Sequence, residues 1–302
     1  LISAEEKGDN ESINIDLIST RAQYEPGSSL KIFSIGLALE QGLLDEKTEY
    51  YVEDTIELIE NSCQKDFKGY KGCYKDFLKH EPYNLSVKEI IERSSNVGTI
   101  IATKDLNIND LEEFLSKFGF SKRTGIELSG ESKGSFDPNK ICTTCLSSLS
   151  IGYSINVTQM QMVKAYSIIA NGGKEVDLTL IKTPYSNNSP NKVIDYNLSE
   201  RFKNLLINVV EGENGTGRSL FMENYTIGGK TGTSRTHIEG FGYSDYRFNT
   251  SFTGFVETNE GPIVGSVILW GASVSPHTEY VTGGSTAAPI FKKIVSYLVP
   301  GE

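Results

Sequence analysis

The sequence has no surplus of positive charge. Its 29 lysines and arginines are outnumbered by 39 aspartates and glutamates, which gives a formal net charge of -10. Binding a phosphate backbone requires a basic footprint, so the composition argues against a nucleic-acid partner. Long apolar runs are also missing. The best candidate, Ile263 to Trp270, has about the length of a strand and is interrupted by Gly265 and Ser266, so no membrane span is expected here. The opening stretch, Leu1 to Asn14, is acidic and polar and does not read as a signal peptide, which puts any export signal or anchor upstream. Internal repeats and low-complexity segments are absent. Cysteine is scarce: Cys63, Cys73, Cys142 and Cys145 are enough for two disulfides, one metal site or neither, and composition does not choose between them.

What is present suits a globular domain. A chain of 302 residues can bury a full core and reads as one large domain or two interleaved subdomains. From Ser28 to Leu44, Ile32, Ile35, Leu39 and Leu43 recur at helical spacing, with Gly42 near the end. Ser86 to Glu92 predicts a helix with Ser86 as N-cap and Glu89 completing a capping box. Leu111 to Phe118 predicts a shorter helix, and a loop-rich zone runs from Ser121 to Cys145. Thr158 to Asn171 predicts a helix stopped by Gly172-Gly173. Tyr225–Thr233, Thr250–Glu257 and Ile263–Trp270 read as strands, and Ala287 to Leu298 as a closing helix. The expectation is an α/β (α+β type) domain. An antiparallel sheet, mainly residues 225–270, is flanked by helices, and a helical subdomain is inserted at roughly 45–170.

Three constellations carry chemistry. In Ser28-Ser29-Leu30-Lys31, residues three apart on a helix share a face, so Ser28 Oγ and Lys31 Nζ can meet. A serine hydroxyl needs a base to become a nucleophile, and lysine can be that base if burial or nearby positive charge lowers its pKa. The pair at this spacing also arises by chance; Pro26-Gly27 before it and the apolar helix after it add weight. Lys230-Thr231-Gly232-Thr233, on a strand after Gly228-Gly229, suits a substrate carboxylate, with Gly232 admitting substrate backbone. A phosphate-binding loop ending in Gly229-Lys230-Thr231 would need glycine at the position of Asn224, which counts against the nucleotide reading. Ser94-Ser95-Asn96 is uninformative alone, because Ser-x-Asn recurs at Ser12, Ser154, Ser186 and Ser189; its place between the other two motifs singles it out.

In this order the three motifs resemble those of the serine penicillin-recognising enzymes. Tyr24-Glu25-Pro26-Gly27 before Ser28, Ser150-Ile151-Gly152-Tyr153, Gly215-Thr216-Gly217 and Gly283-Gly284 with Ala287-Ala288-Pro289 are similar to the class B, monofunctional penicillin-binding proteins. The resemblance implies the penicillin-binding/serine β-lactamase-like fold and a D,D-transpeptidase that cross-links peptidoglycan stem peptides and is acylated by β-lactams. It implies Ser28 as nucleophile, Lys31 as base, and Ser94 relaying a proton to the leaving amine with Lys230 close by. Asn96 would contact the donor amide and help hold Lys31. Lys230, Thr231 and Thr233 would bind the terminal carboxylate, and the N–H groups of Ser28 and Thr233 would form the oxyanion hole. No cofactor is required for the chemistry, and lysine replaces the imidazole of the usual triad. A glycan polymerase is the expected partner, and the extracytoplasmic face of the bacterial plasma membrane the expected location. The family's pedestal domain and membrane anchor are expected to lie outside this sequence. Rival readings within the same chemistry are a β-lactamase, a D,D-carboxypeptidase and a β-lactam sensor domain that does not turn over.

Cys142-Thr143-Thr144-Cys145 is not a general feature of that family. Its spacing is that of a zinc half-site, and the family often carries cysteines and a histidine in the segment holding Cys63, Cys73 and His80. The expectation is a structural tetrahedral zinc site of Cys63, Cys73, Cys142 and Cys145, with His80 as the substitute ligand. An extracytoplasmic location instead favours disulfides.

Overall fold

The fold comes from a computed structural model that describes residues 17–64, 72–136, 142, 144–182, 190–238, 240, 242–273 and 281–299. The stretch Leu1–Asn14 lies outside them. After a short helix, α1 (Ile18–Arg21), a 3₁₀ turn (Gly27–Leu30) leads directly into α2 (Lys31–Glu40). The helix expected from Ser28 therefore begins as a tighter turn, and the regular helix starts at Lys31. Nine of the ten α2 residues are buried, so it is the central helix of the core.

Two nested ribbons follow. β1 (Glu49–Val52) encloses β2 (Thr55–Glu57); β2 pairs antiparallel with β3 (Cys73–Lys75), and β1 with β4 (Tyr83–Ser86). The stretch expected to open a helical subdomain is thus β-ribbon up to Ser86. Its strands are too short, and too rich in Lys, Tyr and Glu, to signal themselves by alternation. α3 (Val87–Arg93) starts with the predicted capping box: Ser86 Oγ accepts from Glu89 N–H, and Glu89 Oε2 accepts from Ser86 N–H at 2.8 Å. α4 (Asn96–Ala102) and α5 (Ile108–Lys117) continue the helical part. The strand pair β5 (Ser135–Phe136) and β6 (Ile155–Asn156) brackets α6 (Cys145–Ser150), and α7 (Gln159–Ala170) follows with its own capping box, Thr158 and Gln161. α8 (Tyr196–Glu211) is a sixteen-residue helix. Its buried Leu198, Phe202, Leu205, Leu206 and Val209 give the helical period that the sequence reading left unassigned.

The main sheet is the antiparallel meander β7 (Ile227–Ile238), β8 (Gly242–Val256) and β9 (Ile263–Ser273), with α9 (Ala287–Leu298) closing the chain. Side chains of β8 alternate between two cores. Phe255 joins a large cluster with α2, α7 and α8, while Phe252 and Val256 face α9 through Phe291 and Val295. The sheet is therefore a middle layer with helices on both faces, consistent with the expected α/β fold. β7 and β8 extend further than predicted, as one long hairpin.

The larger core is aromatic. Phe33 of α2 meets Phe118, Phe120 and Tyr166 edge to face, at centroid distances of 4.9, 5.3 and 5.8 Å. α2 and α8 touch where the ring of Phe202 lies over Gly36: a methyl added at Gly36 would fall 1.8 Å from Phe202 Cζ. No rotamer of a fully buried ring can move away from that contact without disturbing its neighbours. Gly36→Ala is therefore expected to destabilise by about 1–3 kcal/mol through overpacking. Urea unfolding checks this, as a lowered midpoint at unchanged m-value.

Candidate active site

The turn that carries Ser28 is held between two backbones. Tyr24 pairs with Val157 through reciprocal N–H···O bonds of 3.0 and 2.9 Å, and Gly27 N–H donates to the Gly152 carbonyl at 3.0 Å. Gly27 has φ +53°, and a side chain there would lie 3.0 Å from the Thr233 carbonyl oxygen. A Cβ on Gly232 would fall 2.3 Å from Ser251 Oγ and 2.6 Å from Ser29 Oγ. Gly232 therefore lets β7 lie against the turn that carries Ser28.

Ser28 is half-buried, the second residue of the turn, and its carbonyl accepts from Lys31 N–H. Lys31 begins α2 and is fully buried. Its Nζ donates to the Ser94 carbonyl at 2.5 Å and lies 3.5 Å from Ser94 Oγ. Both partners are neutral, and burial lowers the Lys31 pKa to about 7, with Asp76 opposing the shift.

Ser94 joins α3 to α4 in the left-handed conformation, φ 61° and ψ 35°. Asn96 opens α4, and its Nδ2 donates to the Lys75 carbonyl at 2.7 Å. Among the described residues Lys31 Nζ is thus held by Ser94, while the Asn96 amide nitrogen is committed to β3. Sequence reading missed Asp76, which follows β3. Its carboxylate accepts from Ser95 Oγ, from the N–H groups of Asn96 and Val97, and from His80 Nε2.

Lys230, Thr231 and Thr233 lie on β7, which pairs only with β8 among the described residues. Lys230 is fully buried, and its Nζ donates to the Thr231 carbonyl at 3.3 Å. Burial, and then the Lys31 charge, hold its pKa well below the ordinary lysine range. Two more partners escaped the sequence reading. Thr231 Oγ1 lies 2.7 Å from Thr216 Oγ1, and Thr233 Oγ1 accepts from Gly283 N–H at 3.1 Å. Their signal was available in Gly215-Thr216-Gly217 and Gly283-Gly284, which figured in the resemblance without a role.

The arrangement joins a serine turn, two buried lysines, a second serine and a threonine-bearing strand edge. The family description "Penicillin binding protein transpeptidase domain" matches residues 3–296. The chain belongs to this family. Stage V sporulation protein D of Bacillus subtilis is 28% identical over 289 residues, covering 92% of this chain and 42% of that protein. Penicillin-binding protein PbpB of Mycolicibacterium smegmatis is 28% identical over 297 residues, covering 93% and 44%. The chain spans less than half the length of these two curated relatives. The apo transpeptidase domain of Burkholderia pseudomallei penicillin-binding protein 3 shares the fold, with a TM-score of 0.79 at 22% identity, covering 93% of this chain and 80% of that one. Mycobacterium tuberculosis penicillin-binding protein 3, solved with ampicillin, matches with a TM-score of 0.79 at 25% identity, covering 95% and 64%. No helix among the described residues is long and apolar enough to cross a membrane.

The cysteines of this transpeptidase domain correct one expectation. Cys63 pairs with Cys73 and Cys142 with Cys145, as two disulfides. Zinc binds thiolates, and a disulfide sulfur offers none, so the zinc site expected from Cys63, Cys73, Cys142 and Cys145 is not formed. His80, its substitute ligand, instead bonds Asp76 and stacks on Tyr83 at 4.3 Å. Among the described residues no group of three or more His, Cys, Asp or Glu could hold a metal ion. Thiol titration of unreduced, denatured protein is therefore expected to find no free thiol, and all four after reduction. Replacing Cys63 and Cys73 with serine removes a cross-link spanning ten residues, expected to cost about 2–3 kcal/mol in unfolding free energy.

Proposed function

We propose that this chain is the catalytic domain of a peptidoglycan D,D-transpeptidase working through an acyl-enzyme on Ser28. The observation that carries the reading is the buried Lys31, one turn from Ser28, with its Nζ on Ser94 and its pKa lowered to about 7. An amine neutral near physiological pH can accept the Ser28 proton, as an ordinary exposed lysine cannot. Ser28 Oγ then attacks the carbonyl carbon of the penultimate D-alanine, and the negative charge collects on the carbonyl oxygen. Backbone N–H groups of Ser28 and Thr233 are the donors assigned to that oxygen.

Collapse of the intermediate breaks the C–N bond, and the departing D-alanine nitrogen takes a proton through Ser94, whose hydroxyl lies 3.5 Å from Lys31 Nζ. Lys230, pushed towards its neutral form by burial and close enough to feel the Lys31 charge, is a second amine available to this transfer. The hydroxyls of Thr231 and Thr233 bind the terminal carboxylate, a role supported by the N–H bond that Thr233 Oγ1 already accepts from Gly283, which leaves its proton to donate. Asn96 contacts the donor amide. An amine from a neighbouring stem peptide attacks the Ser28 ester and releases the cross-linked product. β-Lactams enter as donor mimics and remain on Ser28. The substrate puts the domain at the extracytoplasmic face of the plasma membrane, beside a glycan polymerase that makes the strands it joins.

The test combines adduct detection with turnover. Intact mass is expected to increase by one penicillin per chain in wild type and to stay unchanged in Ser28→Ala; an adduct on Ser28→Ala sinks the assignment. The acylation rate should rise through pH 7 and then level off, because Lys31 accepts a proton only above its pKa. With a thioester donor and an added amine, aminolysis product supports the transpeptidase. Hydrolysis alone would indicate a carboxypeptidase, and an adduct without turnover a sensor.

A further inference from the structure

Ser94 depends on residues that flank it in space rather than in sequence. Its backbone is left-handed, a conformation that costs a non-glycine residue about 1–2 kcal/mol and must be held from outside. The hold comes from Asp76, whose side chain is only 7% exposed. Oδ1 accepts from Asn96 N–H at 2.5 Å and Val97 N–H at 3.1 Å, while Oδ2 accepts from Ser95 Oγ at 2.7 Å and His80 Nε2 at 3.2 Å. The three residues after Ser94 are thus fastened to one carboxylate. The residue before Ser94 joins the same network: the Arg93 guanidinium lies 5.4 Å over the Tyr83 ring, which stacks on His80. Asp76 is itself fixed by its N–H bond to the Asp54 carbonyl at 2.9 Å and by the β2–β3 ribbon that the Cys63–Cys73 disulfide closes.

We propose that Asp76 is a positioning residue for the acyl-transfer reaction, its carboxylate fixing the Ser94 turn so that Lys31 Nζ meets both the carbonyl and the hydroxyl of Ser94. The assignment rests on the reading of Ser28 as nucleophile and Lys31 as base. Asp76 touches neither substrate nor the reacting atoms. Its negative charge also acts on Lys31 through space, opposing the effect of burial. Among the described residues the other ionisable group facing Lys31 is Lys230 of β7; the α3–α4 turn presents the neutral Ser94 and Asn96, and His80 bonds Asp76. One carboxylate thus sets both where the base sits and the pH at which it works.

The experiment measures penicillin acylation of Ser28 against pH in wild type, Asp76→Asn and Asp76→Glu, beside thermal unfolding of each. Asp76→Asn keeps the volume but not the charge. It is expected to acylate about 10- to 100-fold more slowly, as a misplaced catalytic group does, with the acidic limb moved to lower pH. The shift has that sign because removing a neighbouring anion makes Lys31 easier to deprotonate. Unchanged rate and midpoint overturn the proposal. So does a slower rate with an unmoved midpoint, the result of a merely structural role. If Asp76→Asn does not fold, Asp76→Glu decides: it keeps the charge but displaces the oxygens, so slowed acylation with a midpoint near wild type supports the proposal, and wild-type kinetics overturn it. Absence of any adduct on wild type contradicts the functional reading itself, and this inference with it. A labelled wild type with unaltered variants contradicts only the role of Asp76.

Discussion

The burial of the Lys31 ammonium against two neutral oxygens of Ser94 is the constraint on which the site depends. A lysine in water holds its proton until about pH 10.4, and such an amine is useless as a base for a serine hydroxyl. Moving it into the interior without a contacting counter-charge penalises the charged form, and this outweighs the opposing pull of Asp76. Lys230, also fully buried, feels the Lys31 charge, and this adds to burial in lowering its own pKa: two desolvated ammonium groups cannot comfortably coexist. The energy that keeps these groups inside comes from the core around them. Leu30, Ile32 and Phe33 flank Lys31 in sequence and are all fully buried.

The rest of the fold brings distant backbones to that amine. Gly27 and Gly232 remove the side chains that would separate the serine turn from β7, and Gly152 accepts the turn's N–H. The sheet, packed on both faces, gives β7 a fixed position, while the nested ribbons carry Asp76 to the Ser94 turn. β3 is anchored to α6 as well, where Tyr74 Oη lies 2.6 Å from Ser148 Oγ, on the helix that begins at the second disulfide. The two disulfides therefore flank the contact between the β2–β3 ribbon and α6.

Much of this was legible in the sequence, for physical reasons that differ by element. The capping box at Ser86, the helix after Thr158 and the strands of the meander obey local rules and formed where expected, although β7 and β8 run longer than local alternation signals. The serine, lysine and threonine motifs were recognisable because their chemistry fixes residue type and spacing. α8 was legible but unassigned, since its apolar period runs through a polar stretch. The ribbons pair strands of three or four residues across long separations, which no local window detects. Asp76 bonds residues 19 to 21 positions later, and nothing near it marks it out. For the cysteines, spacing alone suits metal and disulfide equally; only the approach of the sulfurs in space separates the two.

The central claim is that Lys31 is a neutral amine near physiological pH because it is buried. The most direct test follows the Lys31 side-chain resonance by NMR against pH, in protein carrying isotope-labelled lysine and assigned with a Lys31→Arg variant. The account predicts a titration midpoint near 7. A midpoint near the ordinary lysine value of about 10.4 would contradict it.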